Sequence, residues 1–293
     1  MSKNIKFIAE ISSNHNQSLK RCKKFIDVAS NIGCYAIKFQ LFKIDELFSK
    51  EVLKKKKSHR DRKKWELPIE YLPILSSYAK KKGLKFGCSP FYIDAVKILK
   101  PYVDFYKIAS YELLWSDLFN ECMNTKKKLI FSTGMANQKE IQKVFKLLSN
   151  RKYKNFSVMR CNSSYPTTYK DANLKIIESL KILTKKFFPN FNNEIGWSDH
   201  SCSPAIIYRA INKFDAKLIE FHLDLDEKGR EFHGGHCWLP NEISEVIKNV
   251  NLGLISDGHG KIKPSNSEKN EKNWRADPSD GLRPLKFIRK KLI

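Results

Sequence analysis

Ile195-Gly196-Trp197-Ser198-Asp199-His200 and Lys217-Leu218-Ile219-Glu220-Phe221-His222-Leu223, with a helix-like run between them, decide the fold. Two short apolar runs separated by about a dozen helix-forming residues predict a strand–helix–strand unit. A parallel sheet follows, because parallel strands need a crossover of that length. Each run ends on an acidic residue followed closely by a histidine, so His200 and His222 are expected at the C-terminal ends of neighbouring strands. Such strands lie roughly 5 Å apart, close enough for two imidazoles to share one metal ion. Spacing alone leaves a second reading open, two unrelated polar residues at strand ends.

Upstream the same alternation repeats. Residues 5–11 predict a first strand with Glu10 near its C-terminal end, and Asn14 to Ser18 a polar turn that caps a helix stopped by Gly33. Tyr35 to Gln40 predicts a second strand on which Lys38 and Gln40 share a face. A lysine inside a barrel strand is expensive to bury unless an anion meets it. Further strands are expected at 85–90 with Ser89, at 104–110 with a second interior-looking lysine, Lys107, and at 156–161 before Asn162 to Pro166. A strand at 128–134 ends in Ser132 to Gly134, which can offer hydroxyl and N–H donors to a phosphate. Helical runs at about 68–82, 91–100, 114–126, 137–150, 173–186, 203–214 and 240–252 separate or follow these strands.

Eight strands alternating with helices, with polar residues gathered at the strand C-termini, predict an α/β fold, the (β/α)8 TIM barrel. The length of 293 residues is long for one ordinary domain and suits a barrel, which commonly needs about 250. The barrel is expected over 1–255 and a short, polar, irregular C-terminal tail over 256–293. The basic segment from Phe42 to Trp65 is a long excursion, expected as a mobile loop over the site.

The net charge of +24 could serve nucleic acid, an anionic membrane or anionic substrates. The lysines are scattered over helix faces, and the dense Lys54 to Lys64 cluster has no interleaved aromatics, which favours a solvated surface with no specific nucleic acid partner. Seven cysteines, odd in number and never in Cys-x-x-Cys spacing, argue for a reducing compartment. The N-terminus has no apolar signal region and no stretch approaches about 18 apolar residues, so a cytoplasmic protein off the membrane is expected.

Taken together, Ile8-Ala9-Glu10-Ile11 with Asn14-His15, Ile37 to Gln40, Tyr106 to Ser110, Ser132 to Met135, Tyr165-Pro166, Ser198-Asp199-His200 and Glu220-Phe221-His222 resemble the sialic acid (N-acetylneuraminate) synthase family. The resemblance covers roughly residues 5–250, in order and on nearly every strand, which makes it more specific than any one motif. It implies condensation of phosphoenolpyruvate with an N-acylated or related amino sugar on a TIM barrel. Phosphate is released, a nonulosonate is formed, and a divalent metal takes part. Manganese is the expected ion, magnesium and cobalt are alternatives, and a homodimer is among the expectations.

The implied roles follow from the chemistry. Lys38 and Lys107 supply cations for the phosphate and carboxylate of phosphoenolpyruvate. Ser89, Ser110, Ser132, Ser163 and Ser198 resemble the family's polar groups around the same ligand, and Gln40 fits as an orienter. His200 and His222 match the family's metal ligands, able to hold an ion that polarises the sugar's aldehyde. Glu10 matches a metal-site or acid–base carboxylate, Glu112 can accept a hydrogen bond from water or substrate, and Tyr165 resembles a sugar contact. A packed tyrosine before proline is the plain alternative for Tyr165.

The chain departs from the family pattern in two places. The antifreeze-like domain that bacterial members usually carry is expected to be missing, and the chain's own loops are expected to hold the acceptor. The loop Gly229 to Trp238 replaces a Pro-Gly-Pro-Asp stretch, whose aspartate falls on His233 by count. Arg230, Glu231, His233 and His236 can hydrogen-bond sugar hydroxyls there. A second metal site at His233, His236 and Cys237 competes with a polar loop, and the loop is preferred. Two other functions stay open: another phosphoenolpyruvate aldol synthase making a 3-deoxy-octulosonate-type acid, and a non-enzymatic anion- or RNA-binding barrel.

Overall fold

Eight parallel strands close on themselves in the computed structural model, which describes residues 5–292. They are β1 (Lys6–Glu10), β2 (Ala36–Leu41), β3 (Lys85–Pro90), β4 (Phe105–Ile108), β5 (Lys128–Ser132), β6 (Phe156–Cys161), β7 (Ile195–Asp199) and β8 (Leu218–Leu223). Each pairs with the next, and β8 pairs back to β1 with Glu10 opposite His222. A short strand β9 (Cys237–Trp238) adds outside the ring, His222 opposite Cys237. Helices follow the strands in turn: α1 (Leu19–Asn31), α2 (Leu72–Lys81), α3 (Ile93–Leu99), α4 (Ser116–Asn124), α5 (Gln138–Asn150), α6 (Ile176–Phe187), α7 (Pro204–Asn212) and α8 (Pro240–Ser256). The expected (β/α)8 TIM barrel is therefore present.

Local chemistry explains the boundaries. Ser18 Oγ accepts the Arg21 N–H to cap α1, and Cys22, Phe25, Ile26 and Ala29 form its buried face at helical spacing. Gly33, at φ +85°, ends that helix in a conformation other residues resist. A capping box between Asn137 and Glu140 starts α5.

The barrel interior is stacked in layers. At the N-terminal end, Glu194 pairs with Lys6 and with Lys128 at 2.6 Å, and accepts from Ser157 Oγ at 3.0 Å. Burial alone would raise the Glu194 carboxyl, but the two lysines hold it down at about 2. Above lies the apolar layer of Ile8, Ala36, Phe105, Ile130, Met159 and Leu218. Two of its members need glycine beside them: a Cβ on Gly87 would sit 2.2 Å from the Phe105 ring, and one on Gly196 2.2 Å from the Leu218 carbonyl oxygen. Two residues further along each strand the layer turns polar, which sets the position of the site.

The Phe42–Trp65 excursion differs from the expected loop. It forms short helices at Ile44–Leu47, Lys50–Lys55 and Lys57–Arg60 and a 3-10 turn at Asp61–Trp65. Lysine is a good helix former, and Ser49 Oγ caps the second helix by accepting from Val52 N. Glu66 anchors the segment, accepting from Ile44 N at 2.7 Å and, through its carbonyl, from Gln17 Nε2 at 3.0 Å.

The barrel unit runs to Leu252, and a second compact unit from Gly253 carries short helices at Lys269–Asn273 and Lys286–Arg289. Among the described residues no helix is long and apolar enough to cross a membrane.

Candidate active site

The polar layer is built by strand register. Glu10 on β1 lies beside Lys38 on β2, and Gln40 beside Ser89 on β3. Lys38 Nζ forms an ion pair with Glu10 and donates to Ser89 Oγ at 3.0 Å. Glu10 also accepts from Gln40 Nε2 and from the Ser12 N–H, each at 2.9 Å. Lys107 on β4 donates to Ser132 Oγ at 2.6 Å and stands 3.7 Å from Glu220, which also accepts from Ser198 Oγ at 3.2 Å.

Two buried cations thus face two buried carboxylates, and the balance differs between them. Desolvation pulls the Lys38 ammonium down, but Glu10 and Glu220 outweigh it and hold its pKa above the ordinary value. Lys107, with desolvation dominant and Lys38 repelling it, is pushed below. Desolvation would raise Glu220, yet Lys107 and Lys38 keep its carboxyl below the usual range.

Beside Lys107 the chain offers small donors. Gly134 N donates to Ser110 Oγ at 3.0 Å, and Ser163 Oγ is buried without a hydrogen-bond partner among the described residues. A Cβ on Gly134 would stand 2.2 Å from Ser163 Oγ and 2.7 Å from Ser110 Oγ, so only glycine lets these three groups converge. Glu112 sits just beyond, partly buried. Desolvation pushes its carboxyl up to about 7, with Lys107 pulling the other way.

Across the mouth, His200 and His222 stand with ring centroids 5.2 Å apart. His200 Nδ1 lies 2.7 Å from the Asn162 carbonyl oxygen, and His222 Nδ1 lies 3.2 Å from Glu231 Oε2. Burial is the largest influence on both imidazoles and lowers their pKa, favouring the neutral ring. Tyr165, partly exposed, stacks on His200 at 4.1 Å between centroids. The Asp199 carboxylate faces outward and accepts from the indoles of Trp197 at 2.9 Å and Trp238 at 3.1 Å. That clamp fastens β9 beside β8.

Fourteen residues line one cavity of about 50 Å³ at the mouth, among them Glu10, Lys38, Gln40, Lys107, Ser110, Ser132, Tyr165, Ser198, His200 and His222. A larger hollow of about 570 Å³ near Lys152, Lys154 and Phe187–Asn193 gathers no comparable set of ionisable groups. Ser89 reaches the site through Lys38, and Ser163 through Gly134, without lining the cavity; Glu112 is outside the lining as well. His233 is exposed on the turn Phe232–Gly234, whereas its loop neighbours His236 and Cys237 are buried against His222. The alternative grouping of His233, His236 and Cys237, set second to a polar loop, does not form; His222, Glu231, His236 and Cys237 instead bring their donor atoms within 4.8 Å of one another.

Two residues carry more than their sequence reading suggests. Glu231, expected to face sugar, is turned inward and accepts from Ser12 Oγ while facing both His222 and His236. Burial would raise its carboxyl, but hydrogen bonds from His222 and Ser12, with the His236 imidazole close by, hold it well below the usual range. Glu220, noted only within a motif, shares the cavity with both lysines. Its alternation with Ser198 and His222 along neighbouring strands was the available signal.

The divalent ion that the resemblance implies fits this donor set. Each of His200 and His222 has Nδ1 facing an acceptor oxygen, which commits the N–H there and leaves Nε2 with its lone pair. His200 and His222 would hold the ion, and Asn162 and Glu231 would orient them.

Residues 25–261 match the NeuB family. Pseudaminic acid synthase of Campylobacter jejuni is 33% identical over 271 residues, covering 89% of this chain and 77% of that protein. N,N'-diacetyllegionaminic acid synthase of Campylobacter jejuni is 29% identical over 279 residues, covering 91% of this chain and 81% of that protein. Among solved structures, N-acetylneuraminic acid (sialic acid) synthetase from Leptospira borgpetersenii serovar Hardjo-bovis, in complex with citrate, superposes with a TM-score of 0.77 at 28% identity, covering 92% of this chain and 90% of that one.

Proposed function

The chain belongs to the NeuB family of sialic acid synthase-like enzymes, which condense phosphoenolpyruvate with a sugar, and from that premise we propose a specific reaction. Phosphoenolpyruvate is joined to the open-chain form of an N-acylated amino sugar, giving a nonulosonate and inorganic phosphate. One observation supports this most directly: two buried lysines on β2 and β4 share a single cavity with the imidazoles of His200 and His222. A phosphate ester bearing a carboxylate and a sugar carbonyl need just those two kinds of partner, brought to one cavity by the strand ends.

In this reading Lys38 and Lys107 neutralise the carboxylate and phosphate of phosphoenolpyruvate. Ser110, Ser132, Ser163 and Ser198, with the Gly134 N–H, donate to the remaining oxygens. Glu10 and Glu220 keep the lysines extended into the mouth and give them up, in part, to the incoming anion. C3 of the enol attacks the aldehyde carbon of the sugar, whose oxygen takes a proton. Water adds to C2 and loses a proton, the C2–O bond to phosphate breaks, and the new C2 hydroxyl gives up its proton to form the keto acid. Glu10, one of two cavity carboxylates, accepts or returns a proton in these steps, and Gln40 fixes its orientation. His200 and His222 would hold a divalent ion, manganese in our reading, which when bound would supply Lewis-acid polarisation of the aldehyde. Tyr165 packs over the mouth and offers its ring to the sugar.

Mass spectrometry of a reaction containing phosphoenolpyruvate, manganese and a panel of N-acetylhexosamines tests the proposal. The expected product has the mass of one sugar plus one pyruvate. Recovery of unchanged sugar from every incubation would count against it.

A further inference from the structure

Beyond His200 and His222 stands a third imidazole, and we propose that His236 is a third protein ligand to the same ion, with Glu231 as the carboxylate that positions both His222 and His236. The inference rests on the reading that His200 and His222 hold a divalent ion. His236 comes from the loop after β8, where β9 pairing places its neighbour Cys237 directly beside His222.

The three rings form a triangle. Centroids are 5.2 Å apart for His200 and His222, 4.8 Å for His222 and His236, and 6.2 Å for His200 and His236. A ring nitrogen about 2.1 Å from a metal puts the centroids of three ligating imidazoles roughly 4.5–5.5 Å apart. Two sides fall in that range, and the third exceeds it by less than about 1 Å, within reach of a side-chain rotation.

The proton positions agree. Glu231 Oε2 is 3.2 Å from His222 Nδ1 and 3.6 Å from His236 Nε2, so one carboxylate oxygen faces a ring nitrogen of each. A proton on each facing nitrogen leaves the lone pair on the opposite one, Nε2 of His222 and Nδ1 of His236. His236 is only 6% exposed, and its Nδ1 is buried with no hydrogen-bond partner among the described residues. An imidazole nitrogen in that condition has a cost unless something accepts its lone pair. Glu231 is itself fixed by the Ser12 hydroxyl and by its own N–H, which donates to Asn14 Oδ1 at 2.8 Å. Cys237 lies close, but Asn14 Nδ2 already donates to its sulfur, and the thiol is assigned to packing.

The test counts imidazoles. In the full chain loaded with cobalt(II), proton NMR should show three exchangeable, hyperfine-shifted N–H signals, and two in His236→Gln. Manganese affinity by calorimetry should fall at least tenfold in His236→Gln, and Glu231→Gln should keep three signals while losing about tenfold in affinity. Circular dichroism establishes that the variants are folded. If His200→Gln loses the ion while His236→Gln keeps full affinity and the same signal count, the third ligand is overturned and the two-histidine reading stands. A sulfur-to-cobalt charge-transfer band overturns the three-imidazole set by bringing in Cys237. Absence of cobalt and manganese binding in the unmodified protein overturns both readings.

Discussion

Glu10 and Lys38 stand side by side on β1 and β2, paired in register and joined as an ion pair whose side chains are 1% and 3% exposed. Removing one partner of so buried a pair leaves an uncompensated charge, at a cost of about 3–5 kcal/mol, whereas removing both costs far less. Lys38→Met should therefore destabilise the protein strongly, and Lys38→Met with Glu10→Gln should recover much of the loss in urea unfolding. Phosphoenolpyruvate affinity should stay low in both, since the cation is gone either way. Equal stability of the single and double variants would contradict the pairing.

Glu112 carries a pH signature. Its folded-state pKa, about 7, exceeds the ordinary value of 4.5, so the folded form holds the proton more tightly. Stability should be greatest below that ordinary value and decline as pH rises through about 7. Partial exposure limits the effect to about 1–2 kcal/mol. Glu112→Gln should flatten this decline in melting curves taken across the window. Parallel curves for the two proteins would count against it.

Glu194 predicts the opposite limb. Lys128 and Lys6 depress its carboxyl to about 2, so its contribution is complete above the ordinary 4.5 and disappears as pH falls towards 2. Glu194→Gln should lower stability near neutrality by about 1–3 kcal/mol and remove the acid-side loss that this carboxylate causes. Unchanged melting at pH 7 would exclude a stabilising role.

The eight strands were legible because each couples a β-branched or aromatic run to a polar C-terminal end, and the helices between them keep a clear 3.6 period. Lys38 and Lys107 were legible for the same reason, as charges where strand periodicity demands burial. The Phe42–Trp65 excursion was not, since its helices are four to six residues long and too short to show a period. Nor was the inward turn of Glu231 and His236. Their loop has no repeat, and their placement depends on β9 pairing, the Asp199 clamp on Trp238, and Asn14 some two hundred residues away in the chain. His233 illustrates the limit: it holds a motif position by count, yet a one-turn 3-10 segment leaves it exposed.

Gly229 tests that long-range anchoring. A Cβ there would come within 2.4 Å of Asp224 Oδ1 and 2.5 Å of Asn14 Cγ. Asp224 is held by Arg21 at 2.6 Å and by the Gly229 N–H, so it has little room to yield. Gly229→Ala should cost about 1–3 kcal/mol and weaken metal binding by displacing Glu231. Wild-type stability and metal affinity together would show that the loop adapts freely.

His200→Ala and His222→Ala should each abolish ion-stimulated turnover while the barrel stays folded, because both lie at strand mouths and outside the apolar layer. Activity of either variant that matches the unmodified enzyme and resists chelation would remove these residues from the metal site.

Phosphate release measured with each component omitted in turn tests the central claim most directly. The account predicts sustained release only when phosphoenolpyruvate, a divalent ion and an N-acylated amino sugar are all present, with loss on adding chelator. Release that continues at the same rate without sugar, or no release with any such sugar although phosphoenolpyruvate binds, would contradict it.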